Sequence, residues 1–120
     1  MSSLIVSNLS DGTLSIPTTY VTNGSAKAWS STNQVSFALR DSFNISSATD
    51  SDVGRTALNL TSAMASVNYS VVQGGYPTTY TNHSTGWSIT ASQYRTWNSD
   101  GISAYADSIQ IDGLVHGDLA

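Results

Sequence analysis

Apolar and polar positions alternate most regularly between Ala26 and Ser46, where Val35, Phe37, Leu39, Phe43 and Ile45 share one parity and Ser36, Ala38, Arg40, Ser42 and Asn44 the other. A period of two places alternate side chains on opposite faces of an extended chain. The stretch therefore predicts one long half-buried strand, interrupted on its apolar side by Asp41. Such a strand needs a second layer over its apolar face. The pattern supplies it. Arg55 to Thr61 puts Leu58 and Leu60 inward and Ala57 and Asn59 outward; Val67 to Gln73 keeps Val67, Tyr69 and Val71 in step; Trp87 to Trp97 and Ala104 to Val115 read as closing strands. In the last of these Ile109, Ile111 and Val115 alternate with Gln110, Asp112 and Leu114.

Turn signals fall between these segments at Asp11-Gly12, Asn23-Gly24, Gly74-Gly75 and Asn98 to Gly101, and Ser47 to Arg55, with two Asp and a Gly, reads as a loop. Spacing of roughly ten residues predicts an all-β domain, an antiparallel β-sandwich or small barrel of six to eight strands with negligible helix. Its expected core is Phe37, Leu39, Phe43, Leu58, Leu60, Tyr69, Val71, Ile109 and Ile111. Ahead of it, Thr13 to Ile16 and Thr18 to Thr22 are β-prone pieces on either side of Pro17, too thinly apolar for a core of their own. Residues 1–24 are thus expected to form an extended N-terminal β arm lying on its own sandwich or on a neighbouring copy, and residues 25–120 the sandwich domain.

Composition sharpens this. Ser and Thr fill roughly a third of the 120 positions, Glu is absent and Lys27 is the lone lysine, so helix formers are scarce. Four basic residues and a net charge of −4 cannot supply the clustered cations that phosphate binding needs, which argues against nucleic acid. Without cysteine there are no disulfides and no thiolate ligands. No run approaches the ~20 apolar residues of a membrane span, and the N-terminus lacks the basic start and apolar run of a signal peptide, so synthesis in the cytoplasm is expected.

No catalytic or metal site is expected, and no cofactor. His83 and His116 are the two histidines and lie far apart; the Asp residues sit mainly in turn contexts; Asp50 and Asp52 read as a solvated loop pair rather than a calcium site. Six Asn-X-Ser/Thr triplets, at Asn8, Asn23, Asn44, Asn59, Asn68 and Asn82, follow from the Ser and Thr content. The aromatic cluster is more informative. Tyr76 to Gly86 has no aliphatic residue, so it reads as an exposed loop; with the strand after it, it gathers Tyr76, Tyr80, His83, Trp87, Tyr94 and Trp97. Rings beside amides and hydroxyls suit sugar faces or protein partners, which makes Tyr76, Tyr80, His83, Trp87 and Trp97 candidate binding residues. The competing reading puts Trp87 and Trp97 in the core.

Four runs carry a family resemblance: NGSAKAW (Asn23 to Trp29), ALRDSFNISSATD (Ala38 to Asp50), GRTALNLTSAMASVNYSVV (Gly54 to Val72) and ADSIQIDGLVHGDLA (Ala106 to Ala120). Together they resemble a module of tail-fibre and other small virion proteins of tailed bacteriophages, many from marine hosts. The resemblance implies a structural or receptor-binding module of the virion, usually a homotrimer, without enzyme activity. The chain departs from the pattern in having Ser30-Ser31-Thr32-Asn33 after the Trp and in the Tyr76 to Gly86 loop, so no binding residues carry over. The expected role is a tail-fibre or fibre-tip-like module that mediates assembly with other virion proteins and binding to a host-surface glycan or protein; the alternative is a capsid decoration or cement protein. A glycan-degrading enzyme ranks last, since paired carboxylates are not evident.

Overall fold

The computed structural model describes residues 2–76, 83–99 and 105–120, positions 76 and 83–89 through their backbone. Two short strands, β1 (Asn8–Ser10) and β2 (Ser15–Pro17), pair as a hairpin with Leu9 opposite Ile16, and one helix follows, α1 (Thr18–Gly24). Then come β3 (Ala28–Asn33), β4 (Ala38–Phe43), β5 (Ile45–Asp52), β6 (Arg55–Leu60), β7 (Ser70–Tyr76), β8 (His83–Thr90), β9 (Gln93–Ser99) and β10 (Gln110–His116). The order β4-β3-β10-β7 makes one sheet and β5-β6-β9-β8 the other, with antiparallel pairs throughout the described residues. The two sheets are separate ladders facing each other, so the fold is an all-β sandwich and not a closed barrel.

Alternation decides which side chains meet between the sheets. On β9, Tyr94, Thr96 and Asn98 are buried while Arg95, Trp97 and Ser99 turn away; on β3, Ala28, Ser30 and Thr32 are buried. Ala28, Leu58, Leu60, Met64, Tyr69, Tyr94 and Val115 form one apolar cluster, with Leu39, Ile45, Ala48 and Val71 packed on it. Among the described residues seven polar ones are buried too; Thr32 Oγ1, Thr96 Oγ1 and Asn98 Oδ1 have no hydrogen-bond partner there, while others are paired. Gln34 illustrates this: its Nε2 donates to Thr56 Oγ1 at 3.3 Å and its Oε1 accepts from the Ser108 amide at 3.0 Å.

Tyr94 is the largest fully buried side chain, and its ring crosses from β9 to lie on β10 at Gly113. A Cβ at Gly113 would stand 2.9 Å from Tyr94 Cε2, so the ring occupies the space that any other residue would need. Its hydroxyl pairs with Ser30 Oγ at 2.8 Å. Tyr69 crosses in the other direction and donates to the carbonyls of Thr90, at 2.8 Å, and Gln93, at 2.6 Å.

The structure corrects several expectations. Ala26 to Ser46 is not one strand but β3, a tight turn at 34–37, β4 and the start of β5. The breaks fall at Phe37 (φ 44) and Asn44 (φ 58), both left-handed, and each re-aims the pattern after it. Of the expected core, Phe43 is 56% exposed, and Phe37 and Ile109 are also on the surface; Leu58, Leu60, Tyr69 and Ile111 are buried, and Leu39 and Val71 partly so. Ala57, expected outward, is buried because a methyl between Thr49 and Arg95 on the flanking strands is covered by them. Most of Ser47 to Arg55 is strand: as an edge, β5 needs backbone pairing with β6 and little to bury, and Val53-Gly54 turns the chain. Gly54 has φ 66, and a Cβ there would stand 2.5 Å from the Asn98 carbonyl. β7 starts at Ser70, leaving Val67 exposed, and runs through Gly74-Gly75 to Tyr76. Trp87 to Trp97 is two strands, not one, with a turn at Ala91-Ser92. Thr18 to Thr22 is helical: Pro17, with no amide to donate, ends β2 opposite Asn8 and stands as the N-cap of α1.

Burial pushes the Tyr94 hydroxyl up from 10.0 to about 12, against the opposing effect of the Ser30 hydrogen bond. The folded chain therefore holds this proton more tightly than the unfolded chain. The contribution is complete below pH 10 and is lost as pH rises toward 12, an effect of roughly 2 to 3 kcal/mol. Tyr94→Phe strands the Ser30 hydroxyl and is expected to cost about 1 to 2 kcal/mol at pH 8. Urea unfolding of both proteins between pH 8 and pH 12 checks this: the gap between them should close across pH 10 to 12, and a constant gap would place Tyr94 in contact with water.

Candidate functional site

The sandwich end that carries the predicted aromatic residues is built from β6, β9 and the segment entering β10. Arg55 opens β6 directly opposite Trp97 on β9, both facing away from the core. Tyr105 bridges back to Ser99 and brings its ring centroid to 5.4 Å from that of Trp97, tilted by 36°. The Arg55 guanidinium lies over the same ring, 3.7 Å from its centroid, and one of its nitrogens is 3.8 Å from Asp52. Gln73 reaches across from β7 and clamps Trp97, donating to its carbonyl at 2.8 Å and accepting from its amide at 3.1 Å. Beneath, Asp107 accepts from the Gly54 amide at 2.6 Å, which fixes the β5–β6 turn against the Tyr105 segment.

Of the predicted binding residues, Trp97 is half-buried on the outward side of β9 and so does not belong to the inter-sheet core. Tyr76 ends β7 opposite Gln110; His83 opens β8 opposite Ser99; Trp87 lies opposite Arg95. The expected loop from Tyr76 to Gly86 is thus shorter than its composition suggested: Tyr76 belongs to β7 and His83 to Gly86 to β8, where pairing with β10 and β9 makes strand of residues with no aliphatic side chain. Tyr80 and the rest of residues 77–82 lie outside the described residues. The sequence pattern did not single out Arg55, Tyr105 or Gln73: a lone Arg at a strand start and a lone Tyr after a turn carry no periodic signal, and only the register of β6 on β9 brings them together.

This end offers π faces, a cation and amides. Among the described residues, no group of three or more His or Asp side chains is placed to hold a metal ion. The Asp11 carboxyl is held below its ordinary value because the Leu14 and Thr13 amides donate to it in the β1–β2 turn.

At the other end lies the N-terminal arm. Leu4, Ile5, Leu14 and Tyr20 are more than 70% exposed, Val6, Leu9, Ile16 and Val21 are also exposed, and α1 buries no residue. Between α1 and the sandwich opens a groove of about 910 Å³ lined in part by Thr22, Asn23, Phe43, Ser62 and Leu119. Lys27 at its edge donates to the Thr22 carbonyl and to Ser25 Oγ. Comparison of the chain with protein-family models, with curated proteins and with solved structures gives no match.

The contact of Arg55 with Tyr105 should be measurable as a coupling. A double-mutant cycle of Arg55→Ala and Tyr105→Ala, followed by urea unfolding, is expected to give about 0.5 to 1 kcal/mol of interaction energy. Full additivity of the two substitutions would show that the stack does not form in solution.

Proposed function

We propose that this chain is a structural protein of a tailed-bacteriophage virion, a tail-fibre or fibre-tip-like module that acts as a homotrimer, without enzyme activity. The observation that carries the reading is the arm. An isolated two-stranded hairpin is marginal in water, and a seven-residue helix is well short of the ~12 to 15 residues that a free helix needs. α1 also has no side-chain cap on its N-terminal amides. An arm with eight exposed apolar side chains is accounted for if assembly covers it. The runs from Asn23 to Trp29, Ala38 to Asp50, Gly54 to Val72 and Ala106 to Ala120, which resemble phage virion modules, supply the biological setting.

In this reading the arm joins the module to its own copies and to neighbouring virion proteins, and the opposite end, with Trp97, Tyr105 and the strands bounding residues 77–82, faces a host-surface glycan or protein. Capsid decoration is the second reading. It is favoured by the arm lying at one end of the sandwich with its apolar side chains exposed, where a shell-gripping protein would carry its contact.

Two measurements test the proposal together. Gold labelling of phage particles should mark the tail; label on the head selects the decoration reading, and no label on either overturns both. Tyr80→Ala and His83→Ala should each weaken adsorption to host cells roughly thirtyfold, the equivalent of a hot-spot loss of about 2 kcal/mol, with unchanged melting. Unchanged adsorption would remove this end from host recognition.

A further inference from the structure

The outward face of the β4-β3-β10-β7 sheet carries a feature that the sandwich itself does not use. Trp29 on β3 lies opposite Phe43 on β4 and Leu114 on β10, and Leu114 lies opposite Val72 on β7. Residues directly opposed in antiparallel strands share a face. Phe43, Trp29, Leu114 and Val72 therefore form one apolar row running across all four strands, about 14 Å long at the usual strand spacing. Phe43 is 56% exposed, Val72 57% and Leu114 37%. The next row along the strands, Asp41, Ser31, Asp112 and Gly74, is polar or bare. Gln110 donates to Asp112 there at 2.9 Å and accepts from Arg40 at 3.5 Å, completing a hydrogen-bonded border. Between Trp29, Leu114 and Val72 the surface is hollowed, with a volume of about 450 Å³. An apolar centre with aromatic side chains and a polar rim is the anatomy of a protein interface.

We propose that this face seats the N-terminal arm of a second copy of the chain. The inference rests on the reading of the protein as an assembly module and names the surface through which it assembles. Two apolar surfaces without a partner occur on one molecule, the row and the arm, and both are nearly neutral: residues 2–24 hold a single charge, Asp11, at the hairpin turn. Among the described residues the arm's hydrogen bonds to the rest of the chain are those of Lys27 to Thr22 and Ser25 to Val21, at its base. The total exposed area points the same way. The chain exposes 7261 Å², whereas a compact monomer of its mass would expose about 6,200 Å². The excess of about 1,000 Å² is comparable with the ~800 Å² that each partner gives to a standard stable interface. The radius of gyration, 16.7 Å, likewise exceeds the about 14 Å of a compact chain this long. An arm on a neighbour's sheet is a head-to-tail contact, which closes into a ring when the rotation between copies allows.

The chain is tested at full length by light scattering and by complementation. One variant, Val72→Glu with Leu114→Lys, replaces the centre of the row by a cross-strand pair of opposite charges that a sheet tolerates. The other, Ile5→Asp with Leu14→Asp, charges the arm at two side chains that are 93% and 72% exposed. Far-ultraviolet circular dichroism checks that both keep the parent's strand content. The parent is expected to scatter as an oligomer and each variant alone as a monomer, a roughly threefold fall in mass for a trimer. Mixed, the two should form a one-to-one complex, because the arm of the first still fits the face of the second. An arm variant that assembles alone, a face variant that assembles alone, or two monomers that fail to combine would each overturn the inference while leaving the assembly reading in place. A monomeric parent would overturn both.

Discussion

The contact on which the sandwich depends is Tyr94 lying on Gly113 with its hydroxyl on Ser30. Facing sheets stand about 10 Å apart, and where the inner faces carry Ala28, Ser30, Thr32, Thr56 and Thr96 the side chains are too small to fill that gap. Long side chains from one sheet must therefore reach the backbone of the other. Tyr94 does so at the one position of β10 where a Cβ would be in its way and is missing, and Tyr69 does so from just ahead of β7 toward the β8–β9 turn. Each carries a hydroxyl into the interior and finds it a partner there. A shifted register would take the Tyr94 and Tyr69 hydroxyls away from these partners, which ties the packing to one arrangement.

The connection between the sheets follows the same logic. Asn44 sits in the left-handed conformation between β4 and β5, and its amide donates to the carbonyls of Lys27, at 3.0 Å, and Ser62, at 3.1 Å, while its Oδ1 accepts from the Ser62 amide at 2.7 Å. With the Thr61 amide bound to its own carbonyl, this residue fastens β3, β4 and the exit of β6 to one corner. Asn tolerates the conformation better than a branched residue would, which explains why an apolar alternation continuing on both sides of it does not make one strand. Phe43 falls on the outer face because β4 bulges on β3 between Leu39, opposite Thr32, and Asp41, opposite Ser31, which turns the later positions of this parity outward; the break at Asn44 then sends Ile45 inward.

Fold class was legible because alternation and turn residues are local properties of the chain. Leu58, Leu60, Tyr69 and Ile111 could be placed inside from their neighbours alone. What escaped the pattern depends on partners distant in sequence. Ala57 is buried by the strands beside it; the polar β5 is a strand through its ladder with β6; Gly74 and Gly75 look like a terminus but continue the pairing of β7 with β10. The candidate surfaces escaped for a related reason. The Arg55, Tyr105 and Trp97 stack gathers residues from three segments, and the row from Phe43 to Val72 takes one residue from each of four strands, so neither has any period along the chain.

The arm sets the remaining constraint: its hairpin and α1 have secondary structure that they are too short to hold alone, and apolar side chains that nothing in their own chain covers. If assembly is what holds it, order in the arm must depend on protein concentration while order in the sandwich does not. Hydrogen exchange of the backbone amides in residues 8–24, followed by mass spectrometry over a range of concentrations, measures this directly. Protection of the arm that appears in step with oligomer formation, against constant protection of β3, β6, β9 and β10, is the result predicted here. Arm amides that exchange at the rate of an unstructured peptide at every concentration, in a sample that is fully assembled, would contradict it.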